Sequence, residues 1–283
     1  MKITDFELYR NLLKEKSGLS LSQDKSYLLE SRLNPIAKKW GYETLEAMTM
    51  ALQGVPDADL IRDIIEAMTT NETSFFRDMR PFDTFKETVL THMKDARPNK
   101  TIRIWCAAAS SGQEPYTLAI LLKEASIQFP GWNFEIYATD ISNDILDQAR
   151  EGKYTQFEVQ RGLPIQLLMK YFTQDGDKWQ LNDDIRKMVK FEYFNLLDPM
   201  HKLGMFDVIF CRNVLIYFDE QTKGEVLKNM SQHIHKDGFL FLGGAETVLG
   251  ITEAFKPIVD KRGLYTTPDS PHHEKDKATQ ALA

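Results

Sequence analysis

The stretch Thr101-Ile-Arg-Ile-Trp-Cys-Ala-Ala-Ala-Ser-Ser-Gly-Gln-Glu-Pro-Tyr116 decides the fold. It opens as a short apolar strand, passes through a turn with a single glycine, Gly112, and leads into a helix expected over 114–126. The unit then repeats. Phe134–Thr139 reads as a second strand ending at Asp140, with a helix over Asn143–Glu151. Further strands are expected at Val189–Phe194, Phe206–Cys211, Phe239–Gly243 and near Gly263–Thr267. Strands alternating with helices imply a parallel, doubly wound α/β sheet.

Residues 152–188 interrupt the alternation. Arg161-Gly-Leu-Pro164, a short helix and Asp175-Gly-Asp177 between strands near Tyr171–Thr173 and Lys178–Leu181 predict a small inserted β-subdomain. Upstream, residues 1–70 carry apolar stripes at helical spacing, an all-α bundle with Ser22, Thr44 and Asp57 as N-caps and Pro35 dividing or kinking the second helix. The expected organisation is a helical domain over 1–77, a connecting helix and linker over 78–100, the α/β domain over 101–267 and a disordered tail over 268–283. His272-His273 in that tail has no neighbouring ligands, so no metal is expected.

The chain has 283 residues, 42% hydrophobic, with a net charge of −6, which suits soluble domains with a proper core and disfavours nucleic acid as main partner. No apolar run approaches the roughly 20 residues of a membrane span, and Met1–Arg10 shows no apolar export signal. A cytoplasmic protein without membrane insertion is expected. The two cysteines, Cys106 and Cys211, are either small core residues or a pair that an oxidant could link.

In such a sheet, ligands bind beyond the carboxyl ends of the strands. Ala107–Glu114, Asp140, Asn195-Leu196 and Arg212-Asn213 each follow a strand and should converge there. Asp140 can accept hydrogen bonds from both hydroxyls of a ribose, or it can serve as a helix cap or turn residue. The first turn lacks the glycine pattern that lets a backbone approach a pyrophosphate. A carboxylate there, Glu114, can pair with the ammonium of S-adenosylmethionine, or it can answer the helix dipole.

Met68-Thr-Thr-Asn-Glu-Thr-Ser-Phe-Phe-Arg77, Arg103–Tyr116, Ala138-Thr-Asp-Ile141, Asn195-Leu196 and Phe206-Asp-Val-Ile-Phe-Cys-Arg-Asn-Val-Leu-Ile-Tyr-Phe218 together resemble the chemotaxis-receptor glutamate O-methyltransferases, the CheR family. The resemblance runs from about residue 5 to 266. It implies a Rossmann-like S-adenosylmethionine-dependent methyltransferase domain behind an all-α domain. It implies that Asn71, Thr73, Arg77, Glu114, Asp140, Asn195, Leu196, Arg212 and Asn213 surround the cofactor, with Tyr217 near the transferring methyl and Arg77 or Arg212 as further holders of the substrate carboxylate. The first turn departs from the family, with Ala109 where a cysteine is common, Ser111 for threonine and Gln113 for glutamate.

The implied reaction esterifies glutamates in the helical cytoplasmic region of methyl-accepting receptors and leaves S-adenosylhomocysteine. The alternative is a regulatory module that binds S-adenosylmethionine without turnover. Lys25, Arg32, Lys38 and Lys39 on the second helix are candidate cations for docking acidic methylation sites, or simply a solvated charged face. Family members that hold a receptor's C-terminal pentapeptide by β-strand addition have a longer loop in the insert. The short Gln174-Asp-Gly-Asp-Lys178 loop, with two acidic residues, predicts no such tether.

Overall fold

The computed structural model describes residues 3–273. Its contacts form two compact units, one running to Thr70 and including Tyr217–Thr222, the other from Asn71 to Ile216 and from Lys223 onward. The boundary falls at Thr70, ahead of the expected one at Arg77. The intervening segment packs within the second unit, where the Phe75 ring meets Tyr154 and Phe172 edge-on.

The first unit contains α1 (Ile3–Ser17), α2 (Ser26–Lys39), α3 (Leu45–Leu52) and α4 (Ala58–Met68). The predicted stripes meet in one core that includes Tyr9, Leu13, Leu29, Leu33, Met48, Leu60, Ile64 and Met68. Thr44 and Asp57 cap as expected, accepting from the backbone N–H of Ala47 and Asp59. Ser22 instead precedes a 3-10 turn at Gln23–Lys25 and makes no side-chain cap bond, and Pro35 lies inside α2 without dividing it. Residues 217–222 join this unit through a bridge from Leu19 to Phe218, a 2.8 Å hydrogen bond from Ser20 N–H to the Tyr217 carbonyl, and a 2.7 Å ion pair between Lys14 and Asp219.

Two of the four candidate docking cations are engaged inside this unit. Arg32 Nη1 donates to the carbonyls of Met68 and Thr69, 2.9 Å each, and so closes the C-terminal end of α4. Lys39 pairs with Asp63 at 2.8 Å, and Trp40 Nε1–H donates to the same carboxylate. Arg32 and Lys39, seven residues apart, lie on the side of α2 whose partners are the end of α4 and Asp63, whereas Lys25 lies in the 3-10 turn before α2. Lys25, Lys38 and Lys39 are exposed, while Arg32 is half-buried.

The second unit begins with the connecting stretch. It forms α5 (Arg80–Thr84), a π-helical turn (Phe85–Val89) and α6 (Leu90–Ala96), with Phe82 and Phe85 both against Phe210. Then follow β1 (Thr101–Ala107), α7 (Gln113–Ala125), β2 (Asn133–Asp140) and α8 (Asn143–Glu151). The insert contributes β3 (Lys153–Thr155), α9 (Gln156–Gln160), α10 (Ile165–Tyr171), β4 (Phe172–Asp175), β5 (Lys178–Leu181) and α11 (Asp183–Arg186). The chain ends with β6 (Val189–Tyr193), β7 (Phe206–Cys211), α12 (Glu220–Ser231), β8 (Ile234–Leu242), β9 (Lys256–Pro257) and β10 (Leu264–Thr266).

The main sheet has the order β6-β2-β1-β7-β8-β10-β9. Its first five strands are parallel and the last two antiparallel. The order reverses between β1 and β7, so a crevice is expected at the carboxyl ends of those strands. The insert is a separate antiparallel sheet, β3-β5-β4. At Gly162 (φ +96°) an added Cβ would lie 2.1 Å from the Phe75 carbonyl oxygen, so only glycine permits this approach of the insert to the 71–77 segment.

At the opposite, amino ends of the strands, Arg97 bridges Asp207 (2.5 Å) and Asp237 (2.8 Å), while Asp207 also accepts the Arg103 N–H. Hydrogen bonds from His92 and Arg97 hold the Asp237 carboxyl well below the usual carboxylate range. Residues 270, 272 and 273 of the expected tail are packed within the second unit. Ser270 is buried, the His272 ring packs on the rings of His92 and Phe239, and His273 bonds Thr266. The rest of that expected tail, 274–283, lies outside the described residues.

Arg32→Ala is expected to lower the unfolding free energy by about 1–3 kcal/mol, since hydrogen bonds from a charged donor contribute about that much. Lys38→Ala should shift it by no more than about 0.5 kcal/mol. Urea denaturation of both variants checks the pair. Equal stability would make Arg32 a surface cation after all.

Candidate active site

Asp140 ends β2 and is 6% exposed. Its Oδ2 accepts the Ser110 N–H at 2.8 Å and its Oδ1 the Ser142 N–H at 3.1 Å. Capping of α8 falls to Ser142, whose hydroxyl accepts from Ile145 N–H, so Asp140 is not the helix cap. Burial pushes the Asp140 carboxyl above its ordinary value, against the pull of the backbone N–H groups of Ser142, Ser110 and Ile141. A carboxylate offers about four lone-pair sites, so acceptor capacity remains.

The turn after β1 is tied from several sides. Ser110 Oγ donates to the Asn71 carbonyl at 2.9 Å, Ala109 N–H to the Thr139 carbonyl at 2.8 Å, and Tyr154 Oη to the Ser111 carbonyl at 2.8 Å. Asn71 and Asp140 are thereby joined through Ser110. On the other side, Phe194 N–H donates to the Asp140 carbonyl, which brings Asn195 and Leu196 to the end of β2. Asn195 Oδ1 accepts the Leu197 N–H, and Leu196 is buried.

Arg212, just past β7, is the centre of a second cluster. Its side chain is 1% exposed. Nη1 donates to Glu114 Oε2 at 2.6 Å, and Nη2 to Asp78 Oδ2 at 2.8 Å and to the Arg77 carbonyl at 3.0 Å. The guanidinium also stands over the Phe82 ring, 5.6 Å from its centroid. Glu114 lies in the first turn of α7, as expected, but its partner is Arg212. Burial raises the Glu114 carboxyl while Arg212 pulls it back. Arg77 Nη1 donates to the Glu72 carbonyl.

Six non-glycine residues with positive φ lie in these loops: Phe76, Asp78 and Met79 before α5, Ala108 and Ser110 after β1, and Asn213 after β7. Left-handed conformations carry a backbone cost of about 1–3 kcal/mol each and persist where surrounding bonds over-determine them.

Thr73 is half-buried within the same unit. Tyr217 is half-buried and groups with the helical unit. Sequence reasoning missed Asp78, Ser110 and Glu246. Asp78 directly follows the Asn71–Arg77 motif and Ser110 lies in the quoted turn, so both were within reach. Glu246 follows β8 by four positions and had no motif to mark it. Both cysteines are fully buried, and burial pushes their thiols well above the ordinary value, which fits small core residues.

The donor set suits S-adenosylmethionine. Asp140 has spare acceptor sites for ribose hydroxyls. Glu114 Oε1 lies outside the Arg212 bond and can take an ammonium. Arg212 Nε is buried without a partner, a donor that fits a carboxylate. No group of three His, Cys, Asp or Glu side chains gathers for a metal among the described residues, and no helix there is long and apolar enough to cross a membrane.

Residues 71–263 match the family described as CheR methyltransferase, SAM binding domain, and residues 4–69 match CheR methyltransferase, all-alpha domain. The chemotaxis protein methyltransferase Cher2 of Pseudomonas putida is 36% identical over 264 residues, 92% of this chain and 96% of the relative. Chemotaxis protein methyltransferase 1 of Pseudomonas aeruginosa is 37% identical over the same shares. The chemotaxis protein methyltransferase of Borreliella burgdorferi is 37% identical over 259 residues, 88% of this chain and 91% of that one. With both domains matched in order, the chain belongs to the CheR family of S-adenosylmethionine-dependent chemotaxis methyltransferases.

Proposed function

We propose that this chain methylates glutamate side chains in the helical cytoplasmic region of chemotaxis receptors, forming glutamate methyl esters. The observation that carries the reading is the strand-end cluster of Asp140, Glu114 and Arg212 in a chain that matches chemotaxis methyltransferases along nearly its whole length. S-adenosylmethionine, when bound, supplies a methyl group on a sulfonium. Asp140 would hold its ribose, and Glu114 with Arg212 Nε its methionine end. A glutamate carboxylate has an ordinary pKa of about 4.3 and is ionised near neutral pH, so no general base is required. The work left to the protein is alignment and exclusion of water.

The substrate carboxylate needs a holder, and the hydrogen bonds narrow the choice. Both terminal nitrogens of Arg212 are committed to Glu114, Asp78 and Arg77. Arg77 keeps one terminus beyond its bond to Glu72. Tyr217, by family resemblance, is the first candidate, with Arg77 second. On the docking side, the hairpin β4–β5 turns tightly at Gly176-Asp177, which supports a receptor tail not being required. Of the two loop aspartates, Asp175 pairs with Lys153 at 2.6 Å.

The test is transfer of labelled methyl from S-adenosylmethionine to receptors with and without their last five residues. The expected product releases methanol in mild base, at similar rates for both receptors. Label stable to base would exclude an ester, and loss of labelling on truncation would restore the tether.

Asp140→Ala should lower S-adenosylhomocysteine affinity at least about tenfold, one lost charged hydrogen bond being worth about 1.5–3 kcal/mol. In the wild type, protonation removes the charge and turns one carboxylate oxygen into a donor, which weakens its hold on two hydroxyl donors. Because the Asp140 pKa is raised, affinity should fall at a higher pH than an ordinary aspartate, at 3.8, would give. The same shift favours the folded protein at low pH and makes ionised Asp140 a cost to folding as pH rises, so Asp140→Ala should remain folded. Tyr217→Phe should instead keep cofactor affinity and lose turnover. Calorimetry and initial rates separate the two variants, and parallel losses in Tyr217→Phe would remove it from the chemistry.

A further inference from the structure

The loop after β7 carries Arg212, Asn213 and, after Ile216, Tyr217. Its backbone is held by one side chain from outside the loop. Glu246, in the turn after β8, accepts four backbone N–H groups. Oε2 takes those of Asn213 (2.8 Å) and Gly243 (2.6 Å), and Oε1 those of Val214 (3.0 Å) and Ile216 (3.3 Å). Asn213 sits there at a φ of 59°, a conformation a non-glycine residue adopts only when its surroundings impose it. Gly243, at the end of β8, leaves the room. An added Cβ would come within 2.7 Å of Glu246 Oε2, 2.8 Å of Asn213 Nδ2 and 2.9 Å of Asn213 N. The half-buried carboxylate thus staples the ends of two neighbouring parallel strands and fixes the backbone on which the Arg212–Asn213 pair and the lead into Tyr217 are set.

We infer that Glu246 is a positioning residue for the methyltransferase site, acting through the Asn213–Ile216 backbone rather than by touching cofactor or substrate. The inference rests on the reading of the strand-end loops as the cofactor site. A carboxylate is required because all four partners are donors. A carboxamide keeps one acceptor oxygen and turns an amino group toward two N–H groups whichever way it is flipped. Either Asn213 and Gly243 or Val214 and Ile216 would then lose their bonds to the side chain, and the loop would relax away from the cofactor-binding arrangement.

The test compares Glu246→Gln, Gly243→Ala and Asp207→Asn in the full chain. Gly243→Ala displaces the same staple from the strand side without changing charge. Asp207→Asn loosens the far end of β7, at Arg97, and is the control for general destabilisation. Glu246→Gln and Gly243→Ala should weaken S-adenosylhomocysteine binding at least about tenfold, with Asp207→Asn within about twofold of wild type. Residue-resolved amide exchange should quicken at Asn213, Val214 and Gly243 in the first two variants only. If Glu246→Gln fails to fold, Gly243→Ala carries the test. Unchanged affinity and exchange in both, or an equal loss in Asp207→Asn, would overturn the inference. A wild type that does not bind S-adenosylhomocysteine would sink the proposed function, while the exchange measurement would still decide whether Glu246 holds the loop.

Discussion

The buried guanidinium of Arg212 is the interaction on which the strand-end site depends. Removing a charge from water costs several kcal/mol and is tolerated only with close, well-bonded partners. Here Glu114, Asp78 and the Arg77 carbonyl provide them from two separate segments, and the Phe82 face covers the group. The 77–78 turn, the first turn of α7 and the end of β7 therefore cannot move independently. One donor, Nε, is left over inside this cage. Elsewhere in a core an unpaired buried donor would be a defect. At the end of strands that match a cofactor-binding domain, it is a feature that suits a ligand.

Strain and stability are distributed along the strands in a consistent way. The carboxyl ends carry the left-handed backbone at Ala108, Ser110 and Asn213 and the desolvated Asp140, all of which oppose folding. The amino ends carry Arg97 between Asp207 and Asp237, and the buried Phe210 and Phe241 rings stack with centroids 4.3 Å apart, one residue before the carboxyl ends of β7 and β8. A well-packed sheet offsets a strained rim, which is the usual arrangement where backbone geometry serves binding.

Much of this was legible in the sequence because local rules suffice for it. Apolar strands followed by polar turns gave the five parallel strands, and Thr44 and Asp57 capped where short polar side chains precede an apolar stripe. The family motifs marked Asn71, Glu114, Asp140 and Arg212. Other features follow from tertiary contacts that no local pattern encodes. Arg32 reads as a surface cation until α4 ends beside it. β3 has three residues, too few to show alternation. His272 and His273 read as tail until the ledge formed by His92 and Phe239 is seen. Glu246 is invisible because its partners are backbone amides, which carry no sequence signal.

The most direct test of the central claim, that Arg212 and Glu114 act as one buried unit organising the site, is a double-mutant cycle on S-adenosylhomocysteine affinity with Glu114→Gln, Arg212→Gln and the double variant, all measured by calorimetry. Contacting charged residues in one network couple by about 0.5–3 kcal/mol, whereas independent sites add within about 0.3–0.5 kcal/mol. Coupling of at least about 1 kcal/mol is expected, with the double variant little worse than Arg212→Gln alone. Strict additivity of the two single losses would contradict it.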